Sequence, residues 1–280
     1  MVRQSVSVSL ETLLLLALLG VAVGAFGTLV GAGGGFILTP VLLVLYPNTS
    51  ASTITAISLV VVFFNALSGS LAYARQRRID YRSGAAFAAA TIPGSIVGAL
   101  VVGIVPRRLF DILTAVLLAG AAVFLVLRRS EHRQSGRRSA GVRRAITDRS
   151  DTTYEYTVNV RLGIFYSVGV GFVSSFLGIG GGILHVPLMV GALGFPVHVA
   201  TATSHFVLAN MALAGSVTHI VTGAFSAGTG IHRAVALSIG VIGGAQVGAW
   251  LSQTIRGTTI QRLLAMALAG LSVRLLIGAV

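Results

Sequence analysis

Two stretches decide the fold: GAGGGFILTP at residues 31–40 and GIGGGILHVP at residues 178–187. Each reads Gly-x-Gly-Gly-Gly, four variable residues, then Pro. Gly31 and Gly178 open them, 147 residues apart. Both lie in apolar surroundings, where glycine weakens a helix by about 0.5–1 kcal/mol per residue relative to alanine. A breaker written twice in such sequence needs a reason, and the reason depends on the solvent around it.

Composition identifies that solvent. Of 280 residues, 55% are hydrophobic and 10% are charged, against about 25% charged in a soluble domain. The class is an integral membrane protein. Net charge is +13, and every basic residue is Arg. These arginines cluster between apolar segments, which fits the positive-inside rule and excludes nucleic acid as a partner. The absence of Cys removes disulfides, thiolate metal sites and Cys nucleophiles.

A bilayer core about 30 Å thick takes roughly 20 helical residues. Long apolar runs lie at 10–29, 53–74, 84–104, 108–127, 161–177, 199–221, 233–252 and 259–279. The first has a signal peptide's outline, with Arg3 before an apolar core, but it runs directly into the glycine stretch. It reads as a retained membrane segment. Shorter runs at 35–46 and 182–194 follow the glycine clusters and read as half-helices. The fold expected is an all-α polytopic membrane protein with eight long helices and two short half-helices. Residues 128–160 are Arg-rich, and read as a flexible cytoplasmic linker between membrane units at 1–127 and 161–280.

The two units repeat each other. TAISLVVVFFNALSGS from Thr55 aligns with TATSHFVLANMALAGS from Thr201, and IPGSIVGALV from Ile92 with IGGAQVGAWL from Ile242. The loop RQRRIDYR at 75–82 carries four arginines, whereas its counterpart TGAFSAGTGIH at 222–232 has no fixed charge. By the arginine bias the two loops face opposite sides, so the repeat is expected to be inverted. A parallel repeat with an even segment count is the alternative.

Inside hydrocarbon, irregular backbone survives only where protein buries it or where it lines a cavity. The helix after each break begins with unpaired N–H groups and partial positive charge, which suits an anion. The candidate substrate contacts are Gly31, Gly33, Gly34 and Gly35 in the first break and Gly178, Gly180, Gly181 and Gly182 in the second. Thr201, Ser204 and His205 share one helix face, Thr55 and Ser58 share the equivalent face, and Asn65 and Asn210 lie further along. Close helix packing is the alternative use of small residues, and it suits Gly94-x-x-x-Gly98 and Gly244-x-x-x-Gly248. His185 and His205 are suited to holding an anion or a coupling proton, or to sitting neutral in the core. Of seven acids, most lie in loops or at segment ends; Asp111 follows Arg107 and Arg108 and is expected to pair there. A cation pathway without intramembrane acids is hard to build. The spacing of the histidines offers no metal site, and no cofactor motif is present.

These residues resemble the sulfite exporter TauE/SafE family of membrane permeases. The matching pieces are GTLVGAGGGFILTPVLL at 27–43, SSFLGIGGGILHVPLM at 174–189, and TAISL and TATSH after them. The resemblance implies export or uptake of small sulfur-containing or organic anions across the cytoplasmic membrane. The residues themselves yield a small-anion permease with two facing half-sites, working by alternating access and without an ATP-binding loop. An anion channel, a membrane-embedded enzyme and a non-transporting scaffold are the rival readings.

Overall fold

The computed structural model describes residues 9–127, 141–225, 230–252, 266 and 268–277. Among them are ten helices: α1 Leu10–Val30, α2 Gly35–Leu45, α3 Ala51–Arg75, α4 Tyr81–Val101, α5 Arg107–Leu127, α6 Val160–Leu177, α7 Gly182–Gly191, α8 Val197–Val221, α9 Gly230–Leu251 and α10 Leu268–Ile277. Six helical spans (α4 counted with its 3-10 turn, Val102–Ile104) are long and apolar enough to cross a membrane. The chain is therefore a helical, multi-span membrane protein. The expected segment at 259–279 lies partly outside the described residues.

Local chemistry sets the helix ends. Ser9, Ser50, Asp80 and Asn159 cap α1, α3, α4 and α6, each side-chain oxygen accepting from a first-turn N–H. Gly31 (φ 82°) and Gly178 (φ 66°) end α1 and α6 in the left-handed region, which other residues enter at a cost of about 1–2 kcal/mol. Leu14, Leu18, Phe165, Val168, Val247 and Trp250 are exposed, as side chains turned to acyl chains are.

Contacts between the halves are reciprocal. α1 packs on α9, and α6 packs on α4. A Cβ on Gly94 would strike the Val168 carbonyl, and one on Gly244 would strike the Val21 carbonyl. Gly98 and Gly248 meet Phe172 and Ala25 in the same way. The two Gly-x-x-x-Gly pairs therefore serve close helix packing, as their spacing suggests.

α3 and α8 run antiparallel. At one end Thr53 Oγ1 donates to the Ala224 carbonyl at 2.9 Å, and at the other the Asp80 N–H donates to Thr203 Oγ1 at 3.0 Å. The loop after α3 and the loop after α8 consequently lie at opposite ends of this helix pair.

The connector departs from expectation. Residues 142–158 are not a featureless linker, and the fold is not purely helical. Val142–Thr147 (β1) and Thr153–Val158 (β2) form an antiparallel hairpin, with Arg144 opposite Tyr156 and Ile146 opposite Tyr154. Its inner face buries Val158 and packs Ile146, Tyr154 and Tyr156 against a cluster containing Phe87, Leu193 and Phe195. The hairpin docks on the loop after α3. Asp148 pairs with Arg78 at 2.9 Å, and the Arg149 N–H donates to the Gln76 carbonyl at 3.0 Å. Tyr156 Oη donates to Asp80 at 2.9 Å. Burial raises the Asp148 carboxyl, but hydrogen bonds from Arg78 and from the Thr152 and Ser150 N–H groups outweigh it. The group is held below the usual carboxylate range. Asp111 pairs with Arg107 at 2.7 Å, as expected.

Candidate functional site

The two breaks meet. Gly35 lies against the backbone of Ile179, where a Cβ would stand 2.7 Å from the carbonyl carbon and oxygen. Gly182 lies against Ala32 and the Gly31 carbonyl just as closely. Gly31 faces Thr201, whose Cγ2 would lie 2.7 Å from an added Cβ, and Gly178 faces Thr55, whose Cα would lie at 3.0 Å. Both breaks are buried from Gly31 to Gly35 and from Gly178 to Gly182. Protein, not lipid, surrounds them.

Each half-helix starts at this junction. Ile37 and Leu38 return their N–H groups to the Gly34 carbonyl, and Leu184 and His185 return theirs to Gly181. Among the described residues, the N–H groups of Gly34, Gly35 and Phe36 have no such partner, nor do those of Gly181, Gly182 and Ile183. Two positive helix ends are thus aimed at one place. Val62 from α3 and Leu208 from α8 fill the space between: an added Cβ would stand 2.5 Å from Leu208 at Gly33, 2.6 Å from Val62 at Gly35 and 3.0 Å from Val62 at Gly180.

Polar side chains gather around the junction in two sets. In one, the Gly178 carbonyl accepts from Ser58 Oγ at 2.6 Å and Thr39 Oγ1 at 2.7 Å. In the other, Thr28 Oγ1 donates to Asn65 Oδ1 at 3.0 Å, and Tyr73 Oη donates to the Thr28 carbonyl at 3.0 Å. His205 completes the second set, its ring edge-on to Tyr73 with centroids 5.3 Å apart. Its Nδ1 lies 3.1 Å from the Thr201 carbonyl. A carbonyl can only accept, so Nδ1 carries the hydrogen and Nε2 of the neutral ring presents a lone pair. Gly69 leaves room for this ring: a Cβ there would stand 3.1 Å from Nε2.

Several of these groups are buried without a hydrogen-bond partner: Asn65 Nδ2, His205 Nε2, Thr55 Oγ1, Ser204 Oγ and Ser174 Oγ. Asn65 Nδ2 would lie 3.5 Å from a Cβ on Gly34. Unsatisfied buried polar atoms cost about 1–3 kcal/mol each and are rare in folded proteins. Those beside the breaks mark a place where a ligand could supply what is missing; others, both ring nitrogens of His219 among them, lie elsewhere in the bundle. His185 lies one turn into α7, its Nε2 3.2 Å from Ser167 Oγ and its ring against Phe87, while its buried Nδ1 also lacks a partner. Asn210 donates its amide to the Phe206 carbonyl of its own helix at 2.8 Å. Thr28, Thr39 and Tyr73 belong to the junction but are not among the sequence candidates. Thr39 directly precedes the quoted Pro40, and its place in the motif is the signal that could have found it.

The family model described as sulfite exporter TauE/SafE matches residues 16–275. The chain belongs to the TauE/SafE family. A curated relative, the probable membrane transporter protein YunE of Bacillus subtilis, is 30% identical over 260 residues, covering 91% of this chain and 93% of the relative. The probable membrane transporter protein MJ0441 of Methanocaldococcus jannaschii is 27% identical over 223 residues, covering 77% of this chain and 76% of its own. No solved structure matches the chain. This TauE/SafE protein is accordingly a multi-pass membrane transporter, and the glycine junction lies within the matched region. Among the described residues no cluster of His, Asp and Glu could hold a metal ion.

Proposed function

We propose that the transporter carries a small anion, of the sulfite or organic-sulfonate class, through a site between the two glycine breaks. The observation that carries this reading is the set of buried, unpartnered groups, Asn65 Nδ2 foremost, beside two helix N-termini that meet without an intervening acid. An anion would complete the free N–H groups of Gly34 and Gly35, of Gly181 and Gly182, and the unpartnered hydroxyls of Thr55 and Ser204; Ser58 already gives its hydrogen to the Gly178 carbonyl. The name of the family model supports the sulfur-anion class. The described state is closed, with Val62 and Leu208 between the breaks, so the anion enters only when the breaks part.

The halves act as an inverted repeat. The antiparallel course of α3 and α8 and the reciprocal contacts of Gly94 and Gly244 support this. Rocking one unit against the other would open the junction to each side in turn. His205 is the group we assign to a coupling proton, because its Nε2 lone pair is buried without a partner on a ring held one turn from Thr201, the neighbour of Gly31. Neutral, that lone pair repels an anion; protonated, it donates to one.

The test is uptake by purified protein in proteoliposomes. Sulfite, sulfate, thiosulfate and a sulfonate are supplied in turn, with and without a pH gradient. Saturable flux of at least one is expected. Equal, non-saturating leakage of all four would remove the carrier reading.

A further inference from the structure

We infer that the arginine-rich face carries a binding site for the phosphate headgroup of an anionic phospholipid, at the junction of α3, α9 and the hairpin turn. The site is separate from the glycine junction and does not depend on the transport reading.

A cleft of about 470 Å³ opens there, and Arg75, Arg78, Arg149, Gln246 and Trp250 are among its lining residues. Three elements of the chain build it. α3 contributes Arg75 at its last turn, α9 contributes Gln246 and Trp250, and the hairpin turn contributes Arg149. The turn is held firmly. Asp148 Oδ1 accepts from the N–H groups of Ser150 and Thr152 at 2.8 and 3.1 Å, and the Arg149 N–H donates to Gln76 O. Arg149 is thereby fixed beside the end of α3 rather than left on a free loop.

The charge in the cleft is unbalanced. Arg78 is neutralised by Asp148. Among the described residues, neither Arg75 nor Arg149 has a carboxylate within ion-pair distance. Two exposed guanidinium groups therefore line one concave surface, and guanidinium is the side chain best matched to phosphate oxygens. Gln246 is already committed, donating to Ser68 O and Oγ at 2.9 and 2.8 Å, so the recognition falls to the arginines.

The surroundings select a lipid rather than a free solute. Leu67 and Leu71 are exposed and lie eight and four residues before Arg75, on the same face of α3. Val247 is exposed one turn before Trp250 on α9. These apolar faces lead along both helices to the cleft, as acyl chains would run below a headgroup. Trp250, 63% exposed, is the residue type that stations itself at the headgroup level.

Trp250 is also the single tryptophan of the chain, so it reports on its own site. The protein is reconstituted in phosphatidylcholine vesicles containing brominated phosphatidylglycerol or, in parallel, brominated phosphatidylcholine at the same fraction. Phosphatidylglycerol is expected to quench Trp250 with at least about fivefold preference, the gain from one favourable arginine at a membrane surface. The Arg75→Gln/Arg149→Gln variant is expected to fall to parity, and Arg75→Lys/Arg149→Lys to keep most of the preference. Equal quenching by the two lipids in the wild type, or an undiminished preference in the Gln variant, would overturn the site. Relief of the quenching by millimolar inorganic phosphate would assign the cleft to a soluble anion and overturn the lipid assignment.

Discussion

The backbone of Gly35 rests directly on that of Ile179, with no space for a β-carbon between them. Gly182 stands to Ala32 as Gly35 stands to Ile179, so the same contact is made twice with the halves exchanged. Glycine at these places does two jobs. It lets two interrupted segments touch, and it leaves N–H groups uncovered at the point of contact. Helix packing alone needs the first job but not the second, and the unpartnered Asn65 and His205 beside the contact speak for the second.

Replacing His205 by Gln tests the proton assignment. Gln preserves a polar group of similar reach but binds no proton near neutral pH. The titratable neighbour, Tyr73, stays engaged with Thr28. Flux measured from pH 5 to 8 is expected to lose its pH dependence in His205→Gln. A profile identical to the wild type would remove His205 from the coupling scheme.

Leu208 and Val62 lie against the glycines of the breaks, so trimming Leu208 should loosen the junction. Leu208→Ala removes a fully buried side chain and is expected to cost about 2–5 kcal/mol of stability. It is also expected to raise passive anion leakage in the absence of a gradient. Lower stability with unchanged leakage would show that Leu208 packs but does not close a path.

The chain lacks Cys, so a single introduced Cys is a clean marker of sidedness. Arg77→Cys marks the loop after α3, and Ala224→Cys marks the loop after α8. In right-side-out vesicles, an impermeant maleimide is expected to label Ala224→Cys and not Arg77→Cys. Labelling of both from the same side would exclude the inverted arrangement.

Asp148 governs hairpin docking, and the sign of its pH effect follows from its lowered pKa. A carboxyl depressed in the folded state stabilises above its ordinary value of 3.8. That contribution fades as pH falls from there through the folded value. Protease sensitivity within residues 142–158 is expected to rise below about pH 4. Asp148→Asn should raise it at neutral pH, through loss of charged hydrogen bonds worth about 1.5–3 kcal/mol each. Resistance unchanged in Asp148→Asn would mean that the aromatic face alone holds the hairpin.

Much of this architecture is legible in the sequence because apolar runs and bilayer thickness share a length scale. The run at 53–74 becomes α3 at Ala51–Arg75, and 35–46 becomes α2 at Gly35–Leu45. The hairpin is harder to see. Tyr154, Tyr156 and Val158 alternate as a strand should, but the arginines before them mask the pattern. At the junction, aligning the halves points to Thr55, Ser58, Thr201 and Ser204. It misleads at Asn210, since the position equivalent to Asn65 is Met211. Asn210 is turned about 100° around α8 and satisfied by its own helix. Thr28 and Tyr73 escape notice because their partners come from other helices, which no local spacing records.

The most direct measurement is anion flux through Gly34→Leu and Gly181→Leu in proteoliposomes, with insertion and folding verified for each. Gly34 holds a φ of 76° beside Asn65, and a side chain at Gly181 would meet Ser174 Oγ at 2.8 Å. The account predicts inserted proteins that carry no anion. Wild-type flux in both variants would contradict it.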